Sequence, residues 1–251
     1  MPLDRLRAEK YGGVLCYPRF DSGELDKRLE ELKGLGVTAL EFTGGKTVFD
    51  VSVLGKGCVG IVVKAYSDKR RVALKIRRVD ADRSGMQREA EMLERANAVN
   101  VGPKLLNVTE NFLLMEFIEG KLFPEWLEEE MRRNVIRRLL RDVLEQCWRL
   151  DEAGLDHGEL SRAPKHIIVD AEDNPRILDF ETASTNRKVS NVTSMCHFLF
   201  IGSHTAQMLK MKIGEVDRMK LIEALRGYKK EHNREGFAKI LKTCELDKTI
   251  R

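Results

Sequence analysis

The chain changes pattern once along its length, from consecutive strands to consecutive helices, and this change constrains the fold more than any other feature. Four early segments alternate apolar and polar residues or are rich in β-branched residues, which is typical of antiparallel strands joined by tight turns. These segments are residues 37–42, 46–54, 60–66 and 71–79. Beyond residue 120, apolar residues recur at helical spacing, most clearly over residues 128–150, where the apolar face begins at Met131. We expect an α+β fold whose strand-rich part ends near residues 118–121.

Local signals locate the remaining elements. Asp21 and Glu24 have the spacing of a capping box, so a helix should begin there and end at Gly34 or Gly36. Residues 1–21 contain prolines and glycines and are predicted to be irregular. Segments 37–42 and 46–54 should form a hairpin around Gly44 and Gly45. Further helices are expected over residues 84–97, 189–211, 215–231 and 234–242.

Composition excludes several classes of protein. The 251 residues carry 44 Lys and Arg against 40 Asp and Glu, and a net charge of +4 is not that of a nucleic-acid polycation. Five scattered cysteines without a C-x-x-C pair indicate neither a disulfide framework nor a zinc site. No apolar run approaches the roughly 18 residues of a membrane span, and the charged N-terminus is unlike a secretory signal. We expect a cytoplasmic protein with no membrane or nucleic-acid partner.

A glycine-rich segment lies between two of the predicted strands. Gly55, Gly57 and Gly60 have G-x-G-x-x-G spacing, and Val62 follows two residues later. Such glycines let backbone N–H groups approach a phosphate, although a plain hairpin turn explains them equally well. The strand–loop–strand setting argues against a Rossmann site, which requires a helix after the glycines, and favours the flap that covers ATP in protein kinases.

A lysine within an apolar strand follows this segment. Lys75 ends the sequence V-A-L-K, in which Ala73 precedes it by two positions. This sequence is typical of the kinase lysine that binds nucleotide phosphates, and the alternative is a surface lysine whose stem covers apolar groups. Glu89 in the next predicted helix could pair with Lys75, with Glu91 as the nearby competitor.

Two acidic residues in the helical part are candidates for chemistry. Glu159 belongs to the sequence H-G-E-L-S that begins at His157, and Asp179 follows a predicted strand in the sequence L-D-F-E. An acidic residue at the end of a buried strand is a suitable metal ligand, and Asp179 fits that description.

The order of these motifs resembles that of the protein-kinase-like superfamily over residues 48–200. The H-G-x-L-S form and the lack of an A-P-E segment after Asp179 are similar to RIO-type and other small archaeal, atypical Ser/Thr protein kinases. The resemblance implies a two-lobed protein-kinase-like fold. Its parts would be an antiparallel β N-lobe with one helix at 46–118 and a reduced, mostly α-helical C-lobe at 119–251. The extension at 1–45 lies outside the resemblance, and we expect it to pack a helix and a strand on the N-lobe or to contact a partner.

The resemblance also implies ATP as a cofactor, with Mg²⁺ or Mn²⁺. Lys75 would hold the α- and β-phosphates and pair with Glu89, Asp179 would bind the metal, and Glu159 would complete the catalytic set. The other nucleotide-binding positions would be Gly55, Gly57, Gly60, Val62, Ala73, Met115, Glu116 and Ile118, the last three around the adenine.

Three positions depart from the kinase pattern. Glu159 stands where kinases carry the catalytic Asp, and its extra methylene moves the carboxylate by about 1.5 Å, a displacement that can cost roughly 10²-fold in rate. His166 replaces the metal-binding Asn, and imidazole suits Mn²⁺ better than Mg²⁺. Glu181 replaces the Gly of D-F-G, as in choline and aminoglycoside kinases, and could supply another metal oxygen. His157 is expected to pack structurally.

Three functions follow from these residues. The motif order favours ATP-dependent phosphorylation of Ser or Thr hydroxyls on a protein substrate, including the chain itself. The D-F-E form favours a small-molecule kinase of the choline or aminoglycoside kinase type. Glu159 and His166 favour a catalytically weak, nucleotide-binding pseudokinase scaffold.

Overall fold

A computed structural model describes residues 1–82 and 84–247 of the chain. The α+β fold divides into two compact units. The first contains residues 1–94 and 103–118, and the second contains residues 95–102 and those from 119 onward. The main boundary lies where the sequence changes from strands to helices, whereas the short segment 95–102 groups with the second unit.

The first unit combines N-terminal helices with a six-stranded antiparallel sheet. Its helices are a short 3-10 helix at Leu3–Arg7, α1 at Glu9–Leu15, α2 at Ser22–Gly34 and α3 at Gly85–Ala98, whose end lies in the second unit. Its strands are β1 at Val37–Glu41, β2 at Lys46–Val48, β3 at Val51–Val53, β4 at Gly55–Lys56, β5 at Gly60–Ser67, β6 at Arg70–Arg77, β7 at Leu105–Val108 and β8 at Phe112–Glu116. The main sheet has the order β1-β5-β6-β8-β7, with β4 paired to β5, and β2 and β3 form a separate hairpin.

Helix α2 begins and ends where the sequence predicts. The Asp21 side chain accepts a hydrogen bond from the Glu24 N–H at 2.7 Å, which satisfies one of the free donors at the helix N-terminus. Gly34 is the last helical residue, and Gly36 then adopts a φ of +70°, a conformation that glycine tolerates best.

The predicted hairpin around Gly44 and Gly45 is wrong. Residues 46–54 contain the β2–β3 hairpin, and β1 pairs with β5 instead. The chain reverses at Phe49 and Asp50, whose φ values are +46° and +58°. A two-residue turn of this kind usually carries Asn and Gly, so the sequence Phe-Asp gave no turn signal.

The N-terminal residues are not irregular, contrary to prediction. The 3-10 helix and α1 occupy most of residues 3–15, so the extension contains more helix than the one helix and one strand expected. Gly12 and Gly13 lie inside α1, where a Cβ on Gly12 would come within 2.8 Å of the Leu25 side chain. These glycines therefore permit close packing rather than break the helix.

One face of the main sheet is buried beneath this N-terminal region. Leu29 of α2 and Leu74 of β6 belong to the same buried apolar cluster. Arg28 is fully buried beside them. Its guanidinium donates to two backbone carbonyls, each at 2.6 Å, and one of these is the carbonyl of Arg77. It also donates to Asn111 Oδ1 at 2.9 Å. A buried guanidinium requires such partners, so these bonds join α2 to the end of β6 and to the loop before β8.

The second unit is mostly helical, as predicted. Its helices are α4 at Phe123–Glu129, α5 at Arg133–Glu152, a 3-10 segment at Leu160–Lys165, α6 at Asn191–Phe200, α7 at His204–Ile213, α8 at Arg218–Glu231 and α9 at Arg234–Thr243. A small sheet has the order β11-β10-β9, formed by β9 at Gly120–Leu122, β10 at Ile167–Asp170 and β11 at Pro175–Ile177.

Two helix predictions in this unit need correction. Helix α5 begins at Arg133, so Met131 precedes it and is 74% exposed instead of lying on the buried face. Residues 189–211 form two helices, because Ser203 accepts the Ala206 N–H at 2.9 Å and begins α7 as its N-cap. Within residues 1–82 and 84–247, no helix has both the length and the apolar character that a membrane span requires.

Candidate active site

The predicted nucleotide-binding residues of the sheet lie on one of its faces. Val62 of β5, Lys75 of β6 and Leu113 of β8 are in register with one another. Ala73 and Met115 are a second in-register pair two residues along β6 and β8. Because side chains alternate between the two faces of a strand, Val62, Ala73, Lys75 and Met115 share the face opposite the N-terminal core.

Lys75 and Glu89 form a buried ion pair. Lys75 Nζ lies 2.7 Å from Glu89 Oε2, and the two side chains are only 6% and 4% exposed. Glu91, the competitor on α3, is exposed to solvent. Lys75 is therefore not a surface lysine, since its charge is stabilised inside the protein by a carboxylate.

The glycine-rich segment forms the tight turn between β4 and β5. The Gly57 N–H donates to the Gly60 carbonyl at 2.8 Å. A Cβ on Gly60 would lie 3.0 Å from Lys75 Cγ and 3.1 Å from Lys75 Cε, whereas the nearest atom to a Cβ on Gly57 is 3.6 Å away. Gly60 is thus the glycine on which the Lys75 stem rests, while Gly55 and Gly57 are sterically less constrained.

The expected adenine-binding residues lie at the end of β8. The Glu116 N–H already donates to the Lys104 carbonyl at 2.9 Å, and the Glu116 carboxylate accepts the Lys104 N–H at 3.1 Å. The Glu116 N–H is therefore engaged within the sheet. Ile118, the last residue of the first unit, is half-buried, as is Met115.

Three polar side chains of the second unit form a cluster. Glu159 precedes the six-residue 3-10 segment and His166 follows it, so the two residues lie at the opposite ends of this segment. His166 Nε2 lies 2.9 Å from Glu159 Oε2, and His166 Nδ1 lies 3.6 Å from Asp179 Oδ2. The imidazole is buried, and burial lowers the pKa of His166, although both carboxylates oppose that effect.

Asp179 adopts a left-handed backbone conformation, with a φ of +70°. Strain of this kind in a non-glycine residue is concentrated at functional sites. The preceding residue is fixed on both sides, because the Leu178 N–H donates to the His166 carbonyl and the Leu178 carbonyl lies 2.9 Å from His157 Nε2. These contacts hold the carboxylate of Asp179 beside His166.

His157 is a structural anchor, as the sequence predicted. It is fully buried, its N–H donates to Asn191 Oδ1 at 2.9 Å, and its ring lies 5.1 Å from the Phe180 ring. Burial lowers its pKa to about 4, so the ring is neutral at physiological pH. Its Nε2 therefore carries the proton that is donated to the carbonyl of Leu178.

Sequence reasoning missed the residue that supports this loop. Asn191, buried at the start of α6, accepts the His157 N–H and donates through Nδ2 to Asp151 Oδ1 at 2.8 Å and to the Leu155 carbonyl at 2.7 Å. Asp151 also accepts the Tyr228 hydroxyl at 2.8 Å. Asn191 lies 32 positions after Glu159 and belongs to no motif, so only the folded chain reveals the connection.

The donor set fits a divalent metal. One atom each from Glu159, His166 and Asp179 lies within 4.8 Å of the others, and two carboxylate oxygens with one imidazole nitrogen are ordinary metal ligands. Glu181, predicted as a ligand, contributes no donor atom to this cluster, whereas Glu159, predicted as a catalytic residue and not as a ligand, does.

An antiparallel lobe with a lysine–glutamate pair and a helical lobe with an acidic cluster define a two-lobed protein-kinase-like fold. Residues 62–192, just over half of the chain, match the family model of the RIO domain. The chain therefore belongs to the RIO-domain family, an atypical protein kinase family within the protein-kinase-like superfamily. No curated protein is recognisably similar to it in sequence. The resemblance inferred from the motifs is confirmed, and the family implies kinase or ATPase activity that uses ATP and a divalent metal.

Proposed function

We propose that the chain transfers the terminal phosphoryl group of ATP to Ser or Thr hydroxyls of a protein, including its own. The observation that carries this proposal is the cluster of Glu159, His166 and Asp179. When bound there, a divalent metal neutralises phosphate charge and fixes the geometry of the phosphates. The choice of a protein acceptor rests on membership of an atypical protein kinase family.

Lys75 supplies positive charge for the phosphate oxygens of the nucleotide. Glu89 holds its ammonium group at 2.7 Å, and the stem packs against Gly60. The lysine and the glycine-rich segment are therefore positioned together, which is the requirement for a reaction that depends mainly on positioning and charge neutralisation.

Glu159 orients the acceptor hydroxyl and takes up its proton. Oxygen Oε2 faces His166 Nε2, and the other oxygen, Oε1, has no hydrogen bond to the described residues. A carboxylate oxygen within hydrogen-bonding reach of the hydroxyl is the geometry that general-base catalysis needs. Holding Oε2 against His166 directs Oε1 away from the imidazole.

The metal preference follows from His166. Magnesium prefers six oxygen ligands, whereas manganese readily accepts an imidazole nitrogen. We therefore expect Mn²⁺ to support higher activity than Mg²⁺. Because Glu181 lies outside the donor cluster, Glu181→Gln is expected to leave metal-dependent nucleotide binding within about twofold of wild type.

The direct test is phosphate transfer from [γ-³²P]ATP with Mn²⁺ or Mg²⁺, using the full chain with and without a mixture of protein acceptors. Asp179→Ala and Glu159→Gln should each reduce labelling by at least about 10²-fold. Glu172→Gln, an exposed residue in the turn between β10 and β11, is the matched control and should label normally. ATP consumption only with small hydroxyl compounds would instead assign a small-molecule kinase, and ATP binding without turnover would assign a scaffold.

The ion pair has a matched control on the same helix. Glu89→Gln should weaken metal-dependent ATP binding, because Lys75 loses a charged partner that sets its position. Glu91→Gln changes the exposed neighbour two residues away and should bind ATP as wild type does. Equal binding by both variants would contradict the role given to Lys75 and Glu89.

A further inference from the structure

A tyrosine of the N-terminal extension contacts the glycine-rich segment. Lys56, which lies between Gly55 and Gly57, places its Nζ 4.7 Å from the centre of the Tyr17 ring. The guanidinium carbon of Arg78, directly after β6, lies 5.1 Å from the same centre. One aromatic ring thus joins three segments that are distant in sequence, and both cations lie within the distance at which an aromatic face attracts them.

Arg78 fastens the glycine-rich segment to the end of β6. Its backbone N–H donates to the Val59 carbonyl at 2.8 Å, and its Nη1 donates to the Gly57 carbonyl at 3.3 Å. The other side of the guanidinium donates to both oxygens of Asp80 at 2.9 and 2.7 Å. These bonds fix the guanidinium, so the position of the Tyr17 ring and that of the glycine-rich segment depend on each other.

Phe49 packs against the Tyr17 ring from the β2–β3 turn. The two ring centres are 5.3 Å apart, and a Cβ on Gly13 would lie 3.1 Å from the Phe49 ring. Phe49 has a φ of +46° and is 48% exposed, which is unfavourable for a bulky apolar residue. Its place at this turn is explained by the support that its ring gives to Tyr17.

We propose that Tyr17 is a positioning residue for the phosphates of the nucleotide. Its ring holds Lys56 and Arg78, and through them the segment Gly55–Gly60, in the conformation that receives ATP. The inference rests on the proposed function and extends the nucleotide site to the N-terminal extension. The Tyr17 hydroxyl has no hydrogen bond to the described residues, so the ring face and not the phenol group carries the effect.

The experiment compares Tyr17→Leu with Tyr17→Phe in the full chain. Leucine keeps the apolar volume but has no aromatic face, so its dissociation constant and KM for ATP with Mn²⁺ should rise roughly three- to tenfold. The kcat should stay within about twofold, because Tyr17 does not touch the reacting groups. Phenylalanine keeps the aromatic face and should restore wild-type values. Adenosine, which has no phosphates, should bind all three proteins equally.

Tyr11→Leu is the matched control. Tyr11 is another half-buried aromatic residue of the extension, and it stacks on Phe42 at 5.3 Å without a cation contact among the described residues. The Tyr11→Leu variant should lower the melting temperature as Tyr17→Leu does, but it should leave ATP binding unchanged. The inference is overturned, and the kinase proposal left intact, by any of three results. These are equal ATP affinity of the two leucine variants, a loss of adenosine binding by Tyr17→Leu as large as its loss of ATP binding, or ATP binding by Tyr17→Phe that is as weak as that of Tyr17→Leu. Failure of the wild type to bind ATP would overturn both.

A second variant keeps the inference testable should Tyr17→Leu fold poorly. Lys56 is exposed, so Lys56→Gln should fold normally, and it should also weaken ATP binding. In the double variant the effect of Tyr17→Leu should be smaller than in the wild-type background, because part of its action passes through Lys56. Strict additivity of the two effects would contradict the proposed connection.

Discussion

Replacing Asn191 should show how strongly the second unit depends on the support beneath its acidic cluster. Asn191→Ala removes three buried hydrogen bonds: the one accepted from the His157 N–H and the two donated to Asp151 and to the Leu155 carbonyl. Each is worth about 1 kcal/mol net, and the stranded N–H of His157 adds about 1–3 kcal/mol. We therefore expect a loss of about 4–6 kcal/mol in the free energy of unfolding, together with a fall in kcat because the loop carrying Glu159 loses its anchor.

Asn191→Asp keeps nearly the same side-chain shape and changes the charge and the hydrogen-bond donors. The new carboxylate can still accept the His157 N–H, but it faces Asp151, whose own pKa is raised by burial. Two buried carboxylates avoid repulsion when one of them holds a proton. Protonating an Asp at pH 7, above its ordinary pKa of about 3.9, costs about 1.4 kcal/mol for each pH unit between these two values, or about 4 kcal/mol in the free energy of unfolding. The folded variant then binds more protons than the unfolded one. Its stability relative to wild type should rise as the pH falls from 7 towards 5, by about 1.4 kcal/mol per unit.

Denaturant unfolding followed by tryptophan fluorescence measures the free energies of unfolding of both Asn191 variants. The signal reports on the second unit, because both tryptophans, Trp126 and Trp148, lie there. Asn233→Asp is the control. The Asn233 side chain accepts the Gly236 N–H at 2.7 Å as an N-cap, a position that aspartate fills equally well, so its effect should be small and independent of pH. A pH-independent deficit for Asn191→Asp, or a loss below about 1 kcal/mol for Asn191→Ala, would refute the reasoning.

Three further outcomes follow from the packing. Gly60→Ala places a Cβ against the Lys75 stem and should weaken ATP binding roughly five- to tenfold. Gly57→Ala, whose Cβ would come no closer than 3.6 Å to its nearest neighbour, should bind normally, as titration calorimetry can show. His157 has a pKa lowered to about 4 by burial, so its contribution to stability is complete above about pH 6.5 and falls by about 3 kcal/mol towards pH 4. Urea unfolding of His157→Gln over that range should lack this dependence. Arg28→Lys loses the planar fork that serves several acceptors and should cost about 2–3 kcal/mol in the same assay.

The sequence predicted the parts of this molecule that depend on local pattern. The helix begun by Asp21 and the two strands on either side of the turn before Lys75 followed from capping and alternation, and the structure confirms them. The choice of Glu89 over Glu91 rested instead on the resemblance, and in the structure Glu89 is the residue that pairs with Lys75. Periodic burial and capping act over a few residues, so one sequence carries enough information to reveal them.

The missed features depend on contacts between distant residues. Phe49 and Asp50 form a left-handed turn because the Phe49 ring packs on Tyr17, and neither residue type signals such a turn. Arg28 belongs to no sequence motif that marks a buried residue, yet it is fully buried, and Asn111 and two backbone carbonyls accept hydrogen bonds from its guanidinium. Tertiary contacts override local preference at these positions, and a single sequence does not show which distant residues contact each other.

Two of the three departures from the kinase pattern, Glu159 and His166, are best understood as one coupled change. Taken one at a time, each replacement should lower activity. Glu159 in place of the usual Asp moves the catalytic carboxylate, and His166 in place of the usual Asn takes away an amide ligand of the metal. In the structure the longer Glu159 reaches His166 Nε2 at 2.9 Å, and the other ring nitrogen faces Asp179. An aspartate at position 159 is shorter and would lose its contact with the His166 imidazole. An asparagine at position 166 would not reach both carboxylates, those of Glu159 and Asp179. Glu159→Asp and His166→Asn should therefore each lower kcat on their own, and the double variant, which restores the usual kinase pair, should be more active than either and shift towards Mg²⁺. If the kcat effects of the two single changes simply multiply in the double variant, the residues act independently and this coupling is wrong.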